Sequence, residues 1–426
     1  MQQLSTFNLV SEEVLPTNLT TNRYPVHRWF NFIAGYSPEY VLQCYQQARL
    51  DSSACILDPF SGCGTTQVTS NFIGIHSIGY EAHPFFYEIA LAKTNLDVTP
   101  DQIRRLTEDI LTISSCEDLR PVVLSNDAEV FLLKLFPSED VLRALLKASS
   151  LYETIPTYLR PIFRLMLSKV IDLVCHSQTD GIYKAPTSRK NGLSIEAAVA
   201  KVSSEIQEDL HKVQGITNRA SIFLGSSENM SHLPDNYVDL CVTSPPYLNN
   251  FDYAEMTRMY LYFWRYAGSW REISEKVRNK LIVNTTTALS GQREKLAIYR
   301  SSLSQSLVKE LDKLVAKLDE LRRIKPSRKP YHLMIYPYFG QMKSVLSEVH
   351  RVLKPAGTMY MVVANSALYG VHIATEQLLA EVMKQVGLEV INISQFRTRG
   401  DRWILSKRKG SDKGLGEFEI ICRKRA

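Results

Sequence analysis

The stretch "ACILDPFSGCGTT", Ala54 to Thr66, restricts the possible folds more than any other part of this chain. A short apolar run ends at Asp58-Pro59, a Gly-x-Gly turn follows at Gly62 and Gly64, and Thr65-Thr66 stand where a helix would open. The next apolar stretch, "HSIGYEAHPFFYEIALAKTNL", reads as a second strand ending at Glu81 and a second helix. Strand, helix, strand, helix at this spacing predicts a βαβ start, and therefore an α/β fold built on a mainly parallel sheet.

A Gly-x-Gly turn at the carboxyl end of a first parallel strand lets backbone approach a ligand closely, and the helix behind it offers free N–H groups. Glu81 lies 19 residues beyond Gly62, at the end of the next strand, where a carboxylate can accept both hydroxyls of a ribose. The pair describes a site for a nucleoside-containing cofactor. A phosphate-cradling P-loop needs a lysine after its last glycine, and "GCGTT" has none. A dinucleotide fingerprint needs a third glycine where Gln67 stands. S-adenosyl-L-methionine, which has no phosphate to neutralise, remains.

The second informative stretch is "TSPPYLNNFDY", Thr243 to Tyr253, which follows the strand-like run Asp239 to Val242. Pro245 and Pro246 fix φ and remove two N–H donors, leaving rigid carbonyls able to accept from an external amine. Tyr247 can lie on a planar ring, a contact worth roughly 1–3 kcal/mol per base. The exocyclic nitrogen of cytosine or adenine is a poor nucleophile because its lone pair is delocalised into the ring. Acceptors at Ser244 and Pro245 would favour a more tetrahedral nitrogen during attack.

Together, "DPFSGCGTT" and "TSPPY" resemble the cofactor and catalytic motifs of the DNA amino-methyltransferases, which make N4-methylcytosine or N6-methyladenine on a class I, Rossmann-like methyltransferase fold. The resemblance covers about half of the chain, with the cofactor motif preceding the catalytic one. It implies cofactor binding by Asp58, Phe60, Gly62, Gly64, Thr65 and Glu81, and base engagement by Ser244, Pro245, Pro246 and Tyr247. It also implies double-stranded DNA as substrate, a flipped target base, and a cognate restriction or defence nuclease as partner. Serine at the head of the tetrapeptide is more typical of N4-cytosine enzymes, so cytosine is expected. Adenine N6, an RNA methyltransferase of the tRNA guanine-N2 type, and a catalytically idle nucleic-acid-binding subunit are the competing readings.

The segment "NRYPVHRWFNFIAGYSPEYV", Asn22 to Val41, is similar to the family's cap over the methionine end of the cofactor, which makes His27 a cofactor-binding candidate. Family members usually carry an acid before the catalytic strand, and "LGSSENM" departs from this. Ser226 and Ser227 occupy the place, Ser226 becomes the cofactor candidate, and Glu228 is the nearest carboxylate.

The rest of the chain divides around these motifs. Residues 1–98 carry the cofactor motif, and 99–215 read as a helical insertion with a polar interruption at "SQTDGIYKAPTSRKNGLS". Residues 216–265 hold the catalytic motif and 266–335 a second helical insertion. Its leucines 303, 307, 311, 314, 318 and 321 predict an amphipathic helix packed on its own domain. Residues 336–426 complete the sheet, with Lys354–Gly357 as a turn before a strand. Little chain follows the last motif, so the two insertions are expected to contact DNA.

Charge supports a polyanionic partner. From Arg397 to the end there are ten Lys/Arg against four Asp/Glu, an excess equal to the net charge of +6 of the whole chain. Arg397, Arg399 and Arg402 are candidates for phosphate contacts. The seven cysteines form no C-x-x-C pair, which predicts reduced thiols. The histidines show no metal-ligand spacing, and His27, His76 and His83 read by themselves as solvated or capping residues, so no metal is expected. No run approaches the roughly 18 consecutive apolar residues of a membrane span, and the N-terminus lacks a signal pattern, which predicts a cytoplasmic protein.

Overall fold

Eleven strands are present in the computed structural model, which describes residues 14, 16–31, 34–180, 183–399 and 415–425. They are β1 Cys55–Asp58, β2 His76–Glu81, β3 Ser177–Asp180, β4 Tyr183–Arg189, β5 Ala220–Leu224, β6 Val238–Thr243, β7 Leu353–Ala364, β8 Ser366–Leu368, β9 Val371–Ile373, β10 Leu388–Arg399 and β11 Leu415–Lys424. Seven of them form one sheet in the order β10-β11-β7-β6-β1-β2-β5. Strands β5, β2, β1, β6 and β7 run parallel, and β11 is antiparallel to both of its neighbours. This is the doubly wound α/β arrangement of class I methyltransferases. The strand order reverses at β1, so that β1 and β6 lie side by side although a long insertion separates them in sequence.

Strand alternation decides what each face buries. In β1 and β6, Ile56, Leu240 and Val242 point to one side, where Tyr40, Val41 and Cys44 of the helix Pro38–Gln47 cover them. Cys55, Leu57 and Cys241 point to the other side, with Met359 and Met361 of β7, against the helix Ile335–Val352. Both faces are covered, which is why these strands read as continuous apolar runs.

The first insertion forms the expected helices. Pro100–Ser115 opens with a capping box, in which the Thr99 side chain accepts from Gln102 N–H and the Gln102 side chain accepts from Thr99 N–H. This helix, Glu139–Ser149, Arg160–Val174 and Ile195–Lys212 share one core with the helix Pro84–Thr94. Leu261, Tyr262, Phe263, Ile273 and Val277 join the same core, so residues beyond the catalytic motif pack with the first insertion. The polar interruption holds the hairpin β3–β4, a difference from the sequence reading. A two-stranded ribbon is held by backbone pairing and leaves little hydrophobic period to read.

The leucine series from Leu307 onward forms the helix Gln305–Ile324, with Leu307, Leu311 and Leu318 buried in the core beneath β6 and β7, whereas Leu303 ends the preceding helix Leu296–Ser302. Lys354–Gly357 is a bulge within β7. Val238 faces Leu353 while Leu240 already faces Thr358, and Ala356 takes φ +62°. Among the described residues no helix is long and apolar enough to cross a membrane.

Candidate active site

Strand β1 delivers Asp58 to the sheet's carboxyl edge almost completely buried, with 1% of its surface exposed. Its Oδ1 accepts from the Phe60 N–H at 3.0 Å and from Thr243 Oγ1 at 2.9 Å. Its Oδ2 lies 2.9 Å from Thr66 Oγ1 and 2.6 Å from the Tyr36 hydroxyl. Burial pushes the Asp58 pKa upward and these donors pull it back down. The carboxylate thus ties together the glycine turn, the helix behind it, the end of β6 and the N-terminal segment. All of its acceptor capacity is directed at fixed donors, so it organises the site and is no proton acceptor for a substrate.

In the turn, Gly62 and Gly64 take φ of +52° and +80°. A Cβ at Gly64 would come within 3.1 Å of Ala90 Cβ, so both the conformation and the closeness of the helix Pro84–Thr94 require glycine. The turn aims the Gly62 N–H at Glu81 Oε2, 2.7 Å away, and the His83 N–H reaches Glu81 Oε1 at 2.7 Å. Burial nevertheless pushes the Glu81 carboxyl up to about 7. Only the ionised form can accept from two ribose hydroxyls, and its folded pKa is raised, so the binding-competent form is gained as pH rises through about 7. We expect S-adenosylhomocysteine to bind about tenfold more weakly at pH 6 than at pH 8, and Glu81→Gln to flatten that profile in calorimetry. A wild-type profile that is already flat would remove Glu81 from ribose binding.

The second strand end meets the first through Thr243, whose hydroxyl donates to Asp58. Beyond it, Ser244 and Pro246 line a cleft together with Asp58, Phe60, Gly62, Thr65, Glu81 and Ser226. Of the other sequence candidates, Gly64, Pro245, Tyr247 and His27 stand outside that lining. Tyr247 is half-buried and packs with Phe60 on the core beneath β6. Ser226 Oγ donates to Glu228 Oε2 at 3.2 Å.

His27 and His83 are buried and not solvated, while His83 does stand at the N-cap of the helix Pro84–Thr94, without a side-chain cap hydrogen bond, and His76 is half-buried. His27 is fully buried edge-on to Phe72, neither ring nitrogen has a partner, and burial drives its pKa well down, keeping it neutral. His83 is buried too, with Nε2 2.8 Å from Thr257 Oγ1, and burial pushes its pKa down to about 3. Among the described residues no three potential ligands gather as a metal site. Asp252 caps the short helix Tyr253–Met256 and forms a buried ion pair with Arg278 at 3.0 Å, while Tyr253 lines the cleft.

Several lining residues carried no local signal: Thr21, Lys93, and Lys280 to Ile282 of the second insertion; Tyr36 also lines the cleft and lies in the segment Asn22 to Val41 that the resemblance had marked as a cap. Arg397 is paired with Glu417 at 2.8 Å. Arg402 and most of the basic run around it lie outside the described residues.

No family model matches the chain. It is 24% identical over 459 aligned residues to the type II methyltransferase M.BsoBI of Geobacillus stearothermophilus, covering 94% of this chain and 84% of that protein. It is 25% identical over 401 residues to M.AvaI of a Nostoc species, covering 87% and 80%, and 20% identical over 431 residues to M.MvaI of Kocuria varians, covering 94% and 90%. A solved S-adenosylmethionine-dependent methyltransferase from Methanosarcina mazei, at 10% identity and a TM-score of 0.28 over 89% of this chain and 96% of that one, is too distant to add to the strand order. Along nearly its whole length, then, the chain is similar to type II methyltransferases.

Proposed function

We propose that the protein is an S-adenosyl-L-methionine-dependent DNA methyltransferase acting on the N4 amine of cytosine within a specific sequence. The observation that carries this is the Thr243–Asp58 hydrogen bond, which fixes the Ser-Pro-Pro-Tyr turn beside the glycine turn so that both border one cleft. The cleft's chemistry fits the cofactor. Glu81 offers a paired acceptor for ribose, and the glycine turn presents no lysine for a phosphate. When bound, S-adenosyl-L-methionine supplies a methyl group activated by a sulfonium.

The chain's own residues then hold and prepare the amine. Prolines 245 and 246 lack N–H groups, so the Ser244 hydroxyl and the Pro245 carbonyl are left to accept from the base's amino hydrogens and localise its lone pair. Tyr247 stacks on the ring, which must leave the duplex to reach the turn. Lys280, exposed and lining the same cleft as Ser244 and Tyr253, brings the second insertion to the site where DNA would enter. The serine that heads the tetrapeptide supports cytosine. The relatives' names support the type II methyltransferase class, and the motif resemblance adds a cognate restriction or defence nuclease as partner.

The test is mass spectrometry of nucleosides from DNA and from RNA, each incubated with the protein and isotopically labelled S-adenosyl-L-methionine. Labelled N4-methyldeoxycytidine is expected. N6-methyldeoxyadenosine would keep the class and overturn the base, and label in RNA alone or in neither would overturn the proposal.

A further inference from the structure

The chain that carries Ser-Pro-Pro-Tyr must hold its shape without regular structure of its own. Residues 244–252 lie between β6 and the helix Tyr253–Met256 and belong to neither. Pro245 and Pro246 supply no N–H with which the loop could bond itself. Asn249 takes φ +55°, a left-handed conformation that non-glycine residues keep only where their surroundings fix it. Its N–H donates to the Asn284 carbonyl at 2.6 Å, and the Asn284 side-chain amide donates to the Phe251 carbonyl, also at 2.6 Å. One buried residue of the second insertion thus grips the loop on both sides of Asn250.

The hold extends to either side of Asn284. The Asp252 carboxylate, at the end of the loop, accepts from Arg278 Nε at 3.0 Å and from the Thr287 hydroxyl at 2.6 Å. The segment 278–287 therefore has both of its ends on one carboxylate and its middle on the loop backbone. It is itself mounted on the core. The Val283 N–H donates to Gln341 Oε1 at 2.9 Å, from the helix Ile335–Val352, and Ile282 and Val283 are buried in the same core. Between Arg278 and Asn284, Lys280 to Ile282 line the cleft, while Asn284 stands outside that lining. Cleft wall and catalytic loop are joined through a residue that reaches the site only by way of the loop.

We infer that Asn284, with Thr287 beside it, positions the catalytic loop for methyl transfer. The inference rests on the DNA methyltransferase reading above. Attack of the amine on a methyl carbon needs the two in line, and a displacement of about 1 Å can cost on the order of a hundredfold in rate. Ser244, Pro245 and Tyr247 set where the amine lies, and the backbone behind them is fixed at Asn249, Phe251 and Asp252 by the second insertion. Asparagine suits the position because its side chain supplies a donor while its own carbonyl takes the Asn249 N–H. An alanine there keeps the carbonyl and loses the donor, leaving the Phe251 carbonyl free to swing.

Methyl transfer from labelled S-adenosyl-L-methionine to DNA without prior methylation, measured beside calorimetry with S-adenosylhomocysteine, tests this. Asn284→Ala should lower kcat by roughly ten- to hundredfold while the affinity for S-adenosylhomocysteine stays at the wild-type value. Thr287 is exposed, so its replacement leaves the core intact. Thr287→Val should lower kcat by a smaller factor, and Thr287→Ser, which keeps the hydroxyl, should restore it. An Asn284→Ala protein with the wild-type kcat would overturn the positioning role, and so would one whose cofactor affinity falls in step with its activity, the mark of general damage. Should Asn284→Ala not fold, the Thr287 pair decides: equal kcat for valine and serine would overturn the inference. A wild-type protein that binds S-adenosylhomocysteine and labels no DNA would overturn the DNA methyltransferase reading itself and the inference with it, an outcome distinct from an active wild type with unaffected variants.

Discussion

Replacing Asp58 with alanine is expected to destabilise the protein by on the order of 3–5 kcal/mol, read from denaturant unfolding, and to abolish cofactor binding with it. The carboxylate accepts from Phe60 N–H, Thr66, Thr243 and Tyr36, and alanine would leave these donors facing a buried void. Asp58→Asn should cost far less. Its remaining carbonyl oxygen can still take the Phe60 N–H, whose direction is fixed, while the hydroxyls of Thr66 and Tyr36 can turn to accept from the new amide. An alanine variant that lost less than about 1 kcal/mol would show that Asp58 does not bind the two strand ends together.

Tyr247→Ala is expected to lower kcat/KM by about ten- to hundredfold while the affinity for S-adenosylhomocysteine stays at the wild-type value, because the ring is assigned to the base and stands outside the cofactor cleft. Tyr247→Phe keeps the stacking face and should retain most activity. The ring also packs with Phe60 on the core, so truncation carries a stability cost of its own. The thermal midpoint of each variant therefore accompanies the kinetics. An alanine variant that methylates at the normal rate, or one whose cofactor affinity falls in step with its activity, would reject the stacking role.

What could be read without the structure was whatever the chain states locally. The apolar runs that end at Asp58 and begin at Val238 read as buried strands, glycines 62 and 64 are demanded by a left-handed turn, and the leucines from 303 to 318 repeat at helical spacing. Ser-Pro-Pro-Tyr declares itself because proline removes donors wherever it stands. These signals depend on a residue and its near neighbours, and they mark two strand ends whose residues the fold brings to one cleft.

Tertiary structure decided everything that depends on distant partners. Thr243 reaches Asp58 because β1 and β6 are neighbours in the sheet, across 185 positions of sequence. Tyr36, Thr21 and Lys93 enter the cleft through the fold of the N-terminal segment over the helix Pro84–Thr94, and no spacing in the chain announces it. His27 and His83 read as solvated or capping residues, yet both are buried, because a histidine's burial depends on what packs over it. Asp252 and Arg278 pair in the interior, and Arg397 in the basic tail meets Glu417 on the adjacent strand. A residue's type and its period along the chain fix which element it joins and which face it takes, whereas its charge state and its partners are set by groups that only the closed sheet and its covering helices bring within hydrogen-bond range.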